Sequence, residues 1–247
     1  MNFSHVIPYV FAYLEATARM AALLMMLPLP YLRGAPATAK VFFGGLLALL
    51  LLPAWPREAA AQTASGLIAR SLTGVAAAAV TACAVNIAMD LFVTASRLAG
   101  LNAGFGYAST IDPSTQADSG VLDVAGSLLA ALTVVALGLD RPVLIAMARS
   151  ADTLALPPSE TIPAMTALLS YTWSAGLRLA MPILALLLVV DLILALGAKL
   201  QAQLQLISLS FPVKMLLSFF LLAACFPVWP GLLERAFEQV FRILAAR

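Results

Sequence analysis

The stretch LAMPILALLLVVDLILALGAKLQAQLQLISLSFPVK, residues 179–214, contains two strongly apolar runs on either side of a short polar segment. Within that segment Gln201, Gln203 and Gln205 alternate with alanine and leucine. An apolar run of roughly 20 residues is long enough to cross a bilayer as an α-helix, and a short polar connection lets two such helices pack as an antiparallel hairpin. The stretch therefore predicts two long helices that turn near Ala202–Gln203.

Apolar segments of similar length recur along the whole chain. The segment that begins at Asp140 is more polar and predicts a short amphipathic helix that ends at Pro157 and Pro158. No segment shows the period-two pattern of a strand. We predict an all-α, integral-membrane-type fold of helical hairpins, one domain over residues 1–247, with about six long helices near residues 6–30, 39–54, 67–98, 121–139, 168–198 and 206–231.

Composition supports a membrane or assembly protein. Hydrophobic residues make up 62% of the chain and charged residues 11%, and the mean hydropathy is +0.98. Soluble domains carry about 25% charged residues, and a soluble fold of this size could not hide so much apolar surface. The net charge is only +2 and the basic residues are scattered, so we predict no nucleic-acid binding. The chain is either embedded in a membrane or covered by partner subunits.

The sequence lacks the usual signatures of catalysis. His5 is the one histidine, and Cys83 and Cys225 are far apart in apolar surroundings, where they are interpreted as small core residues. One histidine cannot build a multi-histidine metal site or a serine–histidine–carboxylate constellation. The GLNAGFG stretch at 100–106 follows a predicted helix and does not match the dinucleotide motif. We predict no enzymatic activity, no cofactor and no metal.

Two opposite charges lie at equal distances from the predicted turn. Asp191 precedes the turn and Lys214 follows it, each by about 11 residues, which places both roughly 17 Å from the tip of the hairpin. Opposite charges at one depth on facing helices lower the cost of burying either one. Whether they pair depends on the rotational phase of the helices, so pairing and separate partners both remain open.

A long polar loop is predicted between the third and fourth helices. GFGYASTIDPSTQADSG, residues 104–120, is bracketed by glycines and carries apolar side chains at Phe105, Tyr107 and Ile111. Gly104 and Gly106 permit backbone conformations that other residues avoid, and Asp112-Pro113 is typical of a turn. The loop is either a surface connection or an element with its own role.

Several stretches together resemble the FliR family of flagellar export-gate proteins and the related SctT proteins of injectisomes. The resemblance covers nearly the full length: Arg19, Pro28 and VFFGGLLALLLLP (41–53) near the start, and AGLNAGFGYASTIDPSTQ (99–116) in the middle. The strongest stretch is 179–214, where these residues follow the family pattern: Pro182, Asp191, Gly197, Gln203, Phe211, Pro212 and Lys214.

The resemblance implies a structural subunit of the type III protein export gate. It implies a FliP-like part at 1–165, a FliQ-like hairpin at 166–247, and assembly with FliP-like and FliQ-like subunits near an FlhB-like partner. Unfolded export substrates would pass through the complex, which belongs to the flagellar basal body in the bacterial inner membrane. The resemblance also implies that the loop is a plug and that Gln201, Gln203 and Gln205 face the cytoplasmic entrance.

The chain departs from the family pattern at several positions. Asp140-Arg141-Pro142 replaces a common Asn-Gly-His, Ala202 replaces a proline, Ser210 replaces a glycine and Lys199 replaces an arginine. These changes put in doubt a role for the family histidine and the detailed shape of the Gln-rich turn. The distribution of lysine and arginine weakly places both termini in the cytoplasm, whereas the resemblance places the Gln-rich turn there.

Other functions remain open at the level of sequence. An SctT-type injectisome subunit is the nearest alternative. A small-molecule transporter predicts inverted repeats with broken helices, and Pro182 and Pro212 are compatible with such helices, although no matching segments stand out in the N-terminal half. A membrane-embedded enzyme is disfavoured by the missing catalytic constellation.

Overall fold

All regular elements that the structure describes are helical. The computed structural model describes residues 7–27, 34–52, 63–105, 120–149, 158–200 and 206–245. The elements are α1 (Ile7–Met26), α2 (Ala37–Leu51), α3 (Ala64–Ala103), α4 (Val121–Ala136), α5 (Asp140–Arg149), α6 (Pro158–Leu200), α7 (Leu206–Cys225), a 3₁₀ turn (Phe226–Val228) and α8 (Trp229–Ala245). The prediction of an all-α fold is confirmed.

Four stretches of helix are long and apolar enough to cross a membrane. They are α1, Ser65–Ala103 in α3, Ser159–Lys199 in α6, and Ser210–Arg242 through α7 and α8. The axes of α4 and α5 differ by 70° at the break between them, and the two helices count as a fifth span if taken together. The bend follows Gly138, whose φ of +64° ends α4 in the left-handed conformation. Helix α2 is also apolar but shorter. Counted with the five spans, it gives a number that agrees with the prediction of about six long helices.

Two predicted boundaries and one burial assignment differ from the structure. Pro158 begins α6, about ten residues before the start predicted near residue 168, and the first helical turn needs no N–H from proline. The end predicted for the preceding helix, at Pro157 and Pro158, follows residues 150–157, which lie outside the described residues, so it stays a prediction. The last helix continues to Ala245, because Leu233, Ala236, Phe237 and Val240 form one buried stripe at helical spacing. Cys83, interpreted from the sequence as a core residue, is exposed.

The chain divides into two compact units. The first comprises Met1–Ala88, Val134–Leu169 and Ala236–Arg247, and the second comprises Met89–Thr133 and Ser170–Arg235. The division into 1–165 and 166–247 that the family resemblance implies stays a prediction. The helix ends that flank the 104–120 loop, and most of α6 and α7, belong to the second unit.

Helices α1 and α2 of the first unit pack through very small residues. Ala12, Ala16 and Ala48 form a buried cluster. A Cβ atom on Gly44 would lie 2.7 Å from the Cα atom of Ala21, so glycine is needed for the two backbones to approach this closely. Small residues at a crossing replace side-chain bulk with backbone contact, which is how helices associate in an apolar environment.

The buried carboxylate of Glu15 in the first unit is held by a partner on another helix. The Glu15 carboxylate is fully buried, and both its oxygens accept hydrogen bonds from the Arg70 Nε atom at 3.2 Å. Arg19, one helical turn after Glu15, is 3% exposed and packs over Gly74. A Cβ atom added to Gly74 would lie 3.0 Å from the Nε atom of Arg19. Glu15 needs the guanidinium of Arg70 because an unpaired buried carboxylate is costly.

The close crossing of α1 and α2 gives a first prediction. In the Gly44→Ala variant the new Cβ atom meets backbone atoms of Ala21, which cannot rotate away, so the helices must separate. We expect a loss of about 1–3 kcal/mol in stability, the usual cost of overpacking. Gly231→Ala is the matched control, because nothing lies within 4 Å of its Cβ position in α8. Thermal unfolding of the full-length chain in detergent measures the difference, and equal midpoints for the two variants contradict the prediction.

Candidate functional site

The base of the 104–120 loop is a formed helix cap at the end of α3. Gly104 has a φ of +90°, a conformation that favours glycine. The Phe105 N–H donates to the Gly100 carbonyl at 3.0 Å, and the Gly104 N–H donates to the Leu101 carbonyl at 3.3 Å. This pair of hydrogen bonds is the Schellman arrangement, which satisfies carbonyls that a helix end leaves free. The sequence indicated a permissive backbone at Gly104, and in the structure that backbone conformation ends the helix.

Aromatic residues of α7 pack against this cap. A Cβ atom on Gly104 would lie 2.8 Å from the Phe211 ring, so a larger residue there meets both backbone strain and a steric clash. The Phe105 ring lies perpendicular to the Phe219 ring, with centroids 5.5 Å apart, which is a favourable edge-to-face geometry. Phe105 therefore contributes to the packed base of the loop.

The structure brings Asp191 of α6 and Lys214 of α7 together. The Lys214 Nζ atom lies 2.5 Å from the Asp191 Oδ1 atom and 3.5 Å from the Asn102 carbonyl oxygen. The Lys214 side chain is 14% exposed and the Asp191 side chain 40% exposed. Asn102 is in the last turn of α3, where carbonyls carry partial negative charge and favour a cation. Lys214 thus links α6, α7 and the end of α3.

The other end of the loop is tied to α3 through α4. The Arg97 Nε atom donates to the Asp123 Oδ2 atom at 2.8 Å. Gly100 packs on Leu122, where an added Cβ atom would lie 3.3 Å from the leucine Cβ atom. The Gly120 carbonyl accepts the first hydrogen bonds of α4. The helices on both sides of the loop therefore meet closely where the loop begins and ends.

A tight crossing deeper in the second unit supports this base. A Cβ atom on Gly126 would lie 2.3 Å from the Ser96 Oγ atom, so α3 and α4 approach as closely as glycine permits. Phe92 of α3 stacks on Trp229 of α8, with ring centroids 4.3 Å apart.

The residues that meet at the start of the loop form one set, which we call the loop-base cluster: Asn102, Gly104, Phe105, Asp191, Phe211, Lys214 and Phe219.

Several predicted site residues lie outside the described residues. They are Gly106, Tyr107, Ile111, Asp112 and Pro113 in the loop, and Gln201, Gln203 and Gln205 between α6 and α7. Their roles as plug and entrance turn stay predictions. Gly104, Phe105, Asp191 and Lys214 are described, and the structure places all four in the loop-base cluster.

Sequence reasoning missed three members of the cluster as contacts of the loop. Phe211 and Phe219 differ by 8 residues, so they lie on one face of α7, and that spacing could have indicated an aromatic face. Nothing in the sequence pointed to Asn102, because it takes part through its backbone carbonyl. The Arg97–Asp123 pair was also missed, since its partners lie on either side of a long loop.

The cluster contains anchoring groups and no recognisable reactive set. Among the described residues, no three His, Cys, Asp or Glu side chains lie close enough together to hold a metal ion. What the geometry provides is a charged and aromatic clamp between three helices at the start of a long loop. Such a clamp can hold the base of the loop in place.

Comparison with known proteins identifies the family. Residues 10–240 match the family described as bacterial export proteins, family 1. The chain is also 28% identical over 156 residues to the flagellar biosynthetic protein FliR of Escherichia coli (strain K12). The aligned region covers 62% of this chain and 60% of that protein. The predicted resemblance to the FliR family is confirmed by these matches. The chain belongs to family 1 of the bacterial export proteins.

Proposed function

We propose that the chain is a channel-forming subunit of the type III protein export gate. It assembles with FliP-like and FliQ-like subunits, contacts an FlhB-like subunit, and takes part in exporting unfolded flagellar proteins across the bacterial inner membrane. The match to the export family over residues 10–240 supports the proposal, and the similarity to a FliR protein favours a flagellar over an injectisome system. In this proposal residues 1–165 are the FliP-like part and residues 166–247 the FliQ-like hairpin.

The observation that carries the proposal is the large apolar surface of α6 and α7. Only 22% of the most apolar part of each span, Ser159–Lys199 and Ser210–Arg242, is buried within the chain, against 56% for the span in α3. Large side chains such as Leu188, Leu216 and Phe220 are 67–74% exposed. Contiguous apolar surface of this kind marks a contact with lipid or with other proteins. Asp191 is partly exposed on the same hairpin, and a carboxylate facing lipid alone is costly, so partner helices are the better cover.

The loop-base cluster gives the loop a plausible role in this assembly. The proposal assigns residues 106–119 to a plug that narrows the closed channel, with the clamp at Gly104, Phe105 and Lys214 holding its base. Tyr107 and Ile111 supply apolar side chains, and a narrow apolar constriction opposes wetting and therefore ion flow. The proposal assigns Gln201, Gln203 and Gln205 to the cytoplasmic entrance.

The assembly proposal predicts that the chain is poorly behaved alone. Its exposed apolar helices need partners, so co-expression with FliP-like and FliQ-like subunits should raise its yield in detergent several-fold and give a single monodisperse species. The measurement is size-exclusion chromatography of the full-length chain with and without those subunits. An unrelated six-helix membrane protein, co-expressed in place of the partners, controls for general effects on expression. A stable monomer at the same yield in both cases counts against an assembly role.

A further inference from the structure

A cavity in the second unit is lined by two arginines and an apolar wall. Its volume is about 490 Å³, within the usual range for a small-molecule site. Arg178 of α6 and Arg235 of α8 contribute the charged groups, and Ser174 and Tyr171 contribute hydroxyls. Leu179, Pro182, Val228 and Leu232 are among the apolar lining residues.

The two arginines give the cavity a positive charge that its lining does not balance. The described lining residues include no aspartate or glutamate. Neither guanidinium forms an ion pair or hydrogen bond with any residue in the part of the chain that the structure describes. A guanidinium offers five N–H donors in a planar fork that matches the oxygens of a phosphate or carboxylate. The cavity is thus suited to an anion.

Both arginines lie at the ends of charge-free apolar runs. Arg178 directly precedes the uncharged run 179–190 in α6, and Arg235 closely follows the uncharged run 215–233 of α7 and α8. Tyr171 and Trp173 lie one to two turns before the first run. Both arginines lie within candidate membrane spans, Ser159–Lys199 and Ser210–Arg242, where a guanidinium is costly unless it meets an anionic or polar partner. Leu179, Pro182 and Val228 give the same cavity an apolar wall beside the two arginines.

We propose that this cavity binds the phosphodiester headgroup of an anionic phospholipid, with an acyl chain along its apolar wall. Arg178 and Arg235 hold the phosphate oxygens, and Leu179, Pro182 and Val228 contact the chain. An acidic side chain from a partner would satisfy the arginines, but it would not use the apolar wall beside them. Free inorganic phosphate shares the charge chemistry and likewise leaves that wall uncovered.

Photo-crosslinking of the full-length chain in its own membrane tests the site. The photoreactive residue p-benzoyl-phenylalanine replaces Val228, which is 58% exposed and lines the cavity. After irradiation the chain is purified under denaturing conditions and its adducts are identified by mass. We expect phospholipid adducts whose ratio of anionic to zwitterionic lipids is about tenfold higher than the same ratio in the bulk membrane. The same photoreactive residue at Phe42, which is 69% exposed on α2 and does not line the cavity, should report the bulk ratio.

The arginines are tested in the same background. The double variant Arg178→Gln/Arg235→Gln should bring the adduct ratio at Val228 to the bulk value, and each single variant should lower it about threefold. The Arg178→Lys/Arg235→Lys variant should retain most of the enrichment. Arg141→Gln, which removes the same charge from an exposed position in α5, should leave it unchanged. Protein-sized adducts at Val228 that vanish in the double variant overturn the proposal in favour of an acidic partner. An absence of anionic-lipid enrichment in the unmodified chain, as occupancy by free phosphate would give, also overturns it.

Discussion

Removing one charge of the Asp191–Lys214 pair is expected to harm assembly more than removing both. In the Asp191→Asn variant the ammonium of Lys214, whose side chain is only 14% exposed, loses its anionic partner and is left with neutral acceptors such as the Asn102 carbonyl 3.5 Å away. In the Lys214→Met variant the carboxylate of Asp191 loses the only ion-pair partner that the described residues give it. The double change Asp191→Asn/Lys214→Met leaves no unpaired charge, so it should recover part of the loss.

The exposures of the two side chains set the size and order of these effects. Breaking a fully buried pair costs about 3–5 kcal/mol, but Asp191 is 40% exposed within the chain, so we expect the lower part of that range. The Asp191→Asn change should be the more harmful one, because it strands the better-buried charge. The coupling energy between the two positions should be about 1–3 kcal/mol.

A double-mutant cycle on the yield of assembled complex measures this coupling. The Arg97–Asp123 pair is the control: it also joins two helices of the second unit, and its side chains are 60% and 12% exposed, against 40% and 14% for Asp191 and Lys214. A more exposed partner weakens an ion pair, so a cycle on Arg97→Gln and Asp123→Asn should show a smaller coupling. Strict additivity of the Asp191 and Lys214 changes would show that the pair does not contribute to assembly.

The sequence predicted the depth of Asp191 and Lys214 in the hairpin but not the residues around them. The rise per residue of a helix is fixed, so counting residues from the turn placed Asp191 and Lys214 at one level. Rotation about the helix axes depends on packing with other helices, which one sequence does not reveal. For that reason the contact of Lys214 with the end of α3, and the packing of Phe211 on Gly104, appeared only in the structure.

The charged residues of the first unit also show that one sequence does not reveal contacts between distant helices. Glu15 and Arg19 are four residues apart and therefore lie on one face of α1, yet Arg70, which pairs with Glu15, is 55 residues away from it. A pairing between distant helices leaves no local pattern. The start of α6 was predicted too late for a different reason. A proline such as Pro158 is compatible both with the end of one helix and with the first turn of the next, so the sequence alone does not place that start.

Shortening the 104–120 loop is expected to leave the complex assembled but leaky. The structure shows which residues to spare: Gly104 and Phe105 form the cap of α3, and Gly120 begins the hydrogen bonding of α4. Gly100 packs on Leu122, so the two helix ends are near each other and a short link can join them. Deleting residues 107–117 removes the proposed plug and leaves the loop-base cluster intact.

The apolar side chains of the loop should provide most of the seal. Phe105 packs on Phe219 in the base, so the residues proposed for the constriction itself are Tyr107 and Ile111. The double variant Tyr107→Ser/Ile111→Ser should therefore reproduce the leak of the deletion, because polar side chains let water wet a narrow pore. Ser109→Ala/Thr110→Ala changes the same loop without removing an apolar group and should remain closed.

Ion conductance of the purified complex in planar bilayers tests the central claim, a protein conduit closed by this loop, most directly. The complex is isolated with the wild-type chain, with the 107–117 deletion and with Tyr107→Ser/Ile111→Ser, and its composition is checked before each recording. We predict a closed wild-type complex and open-channel currents at least tenfold above its baseline in both variants. Intact complexes of all three kinds with the same low conductance would contradict the account and leave the loop as an ordinary connection between α3 and α4.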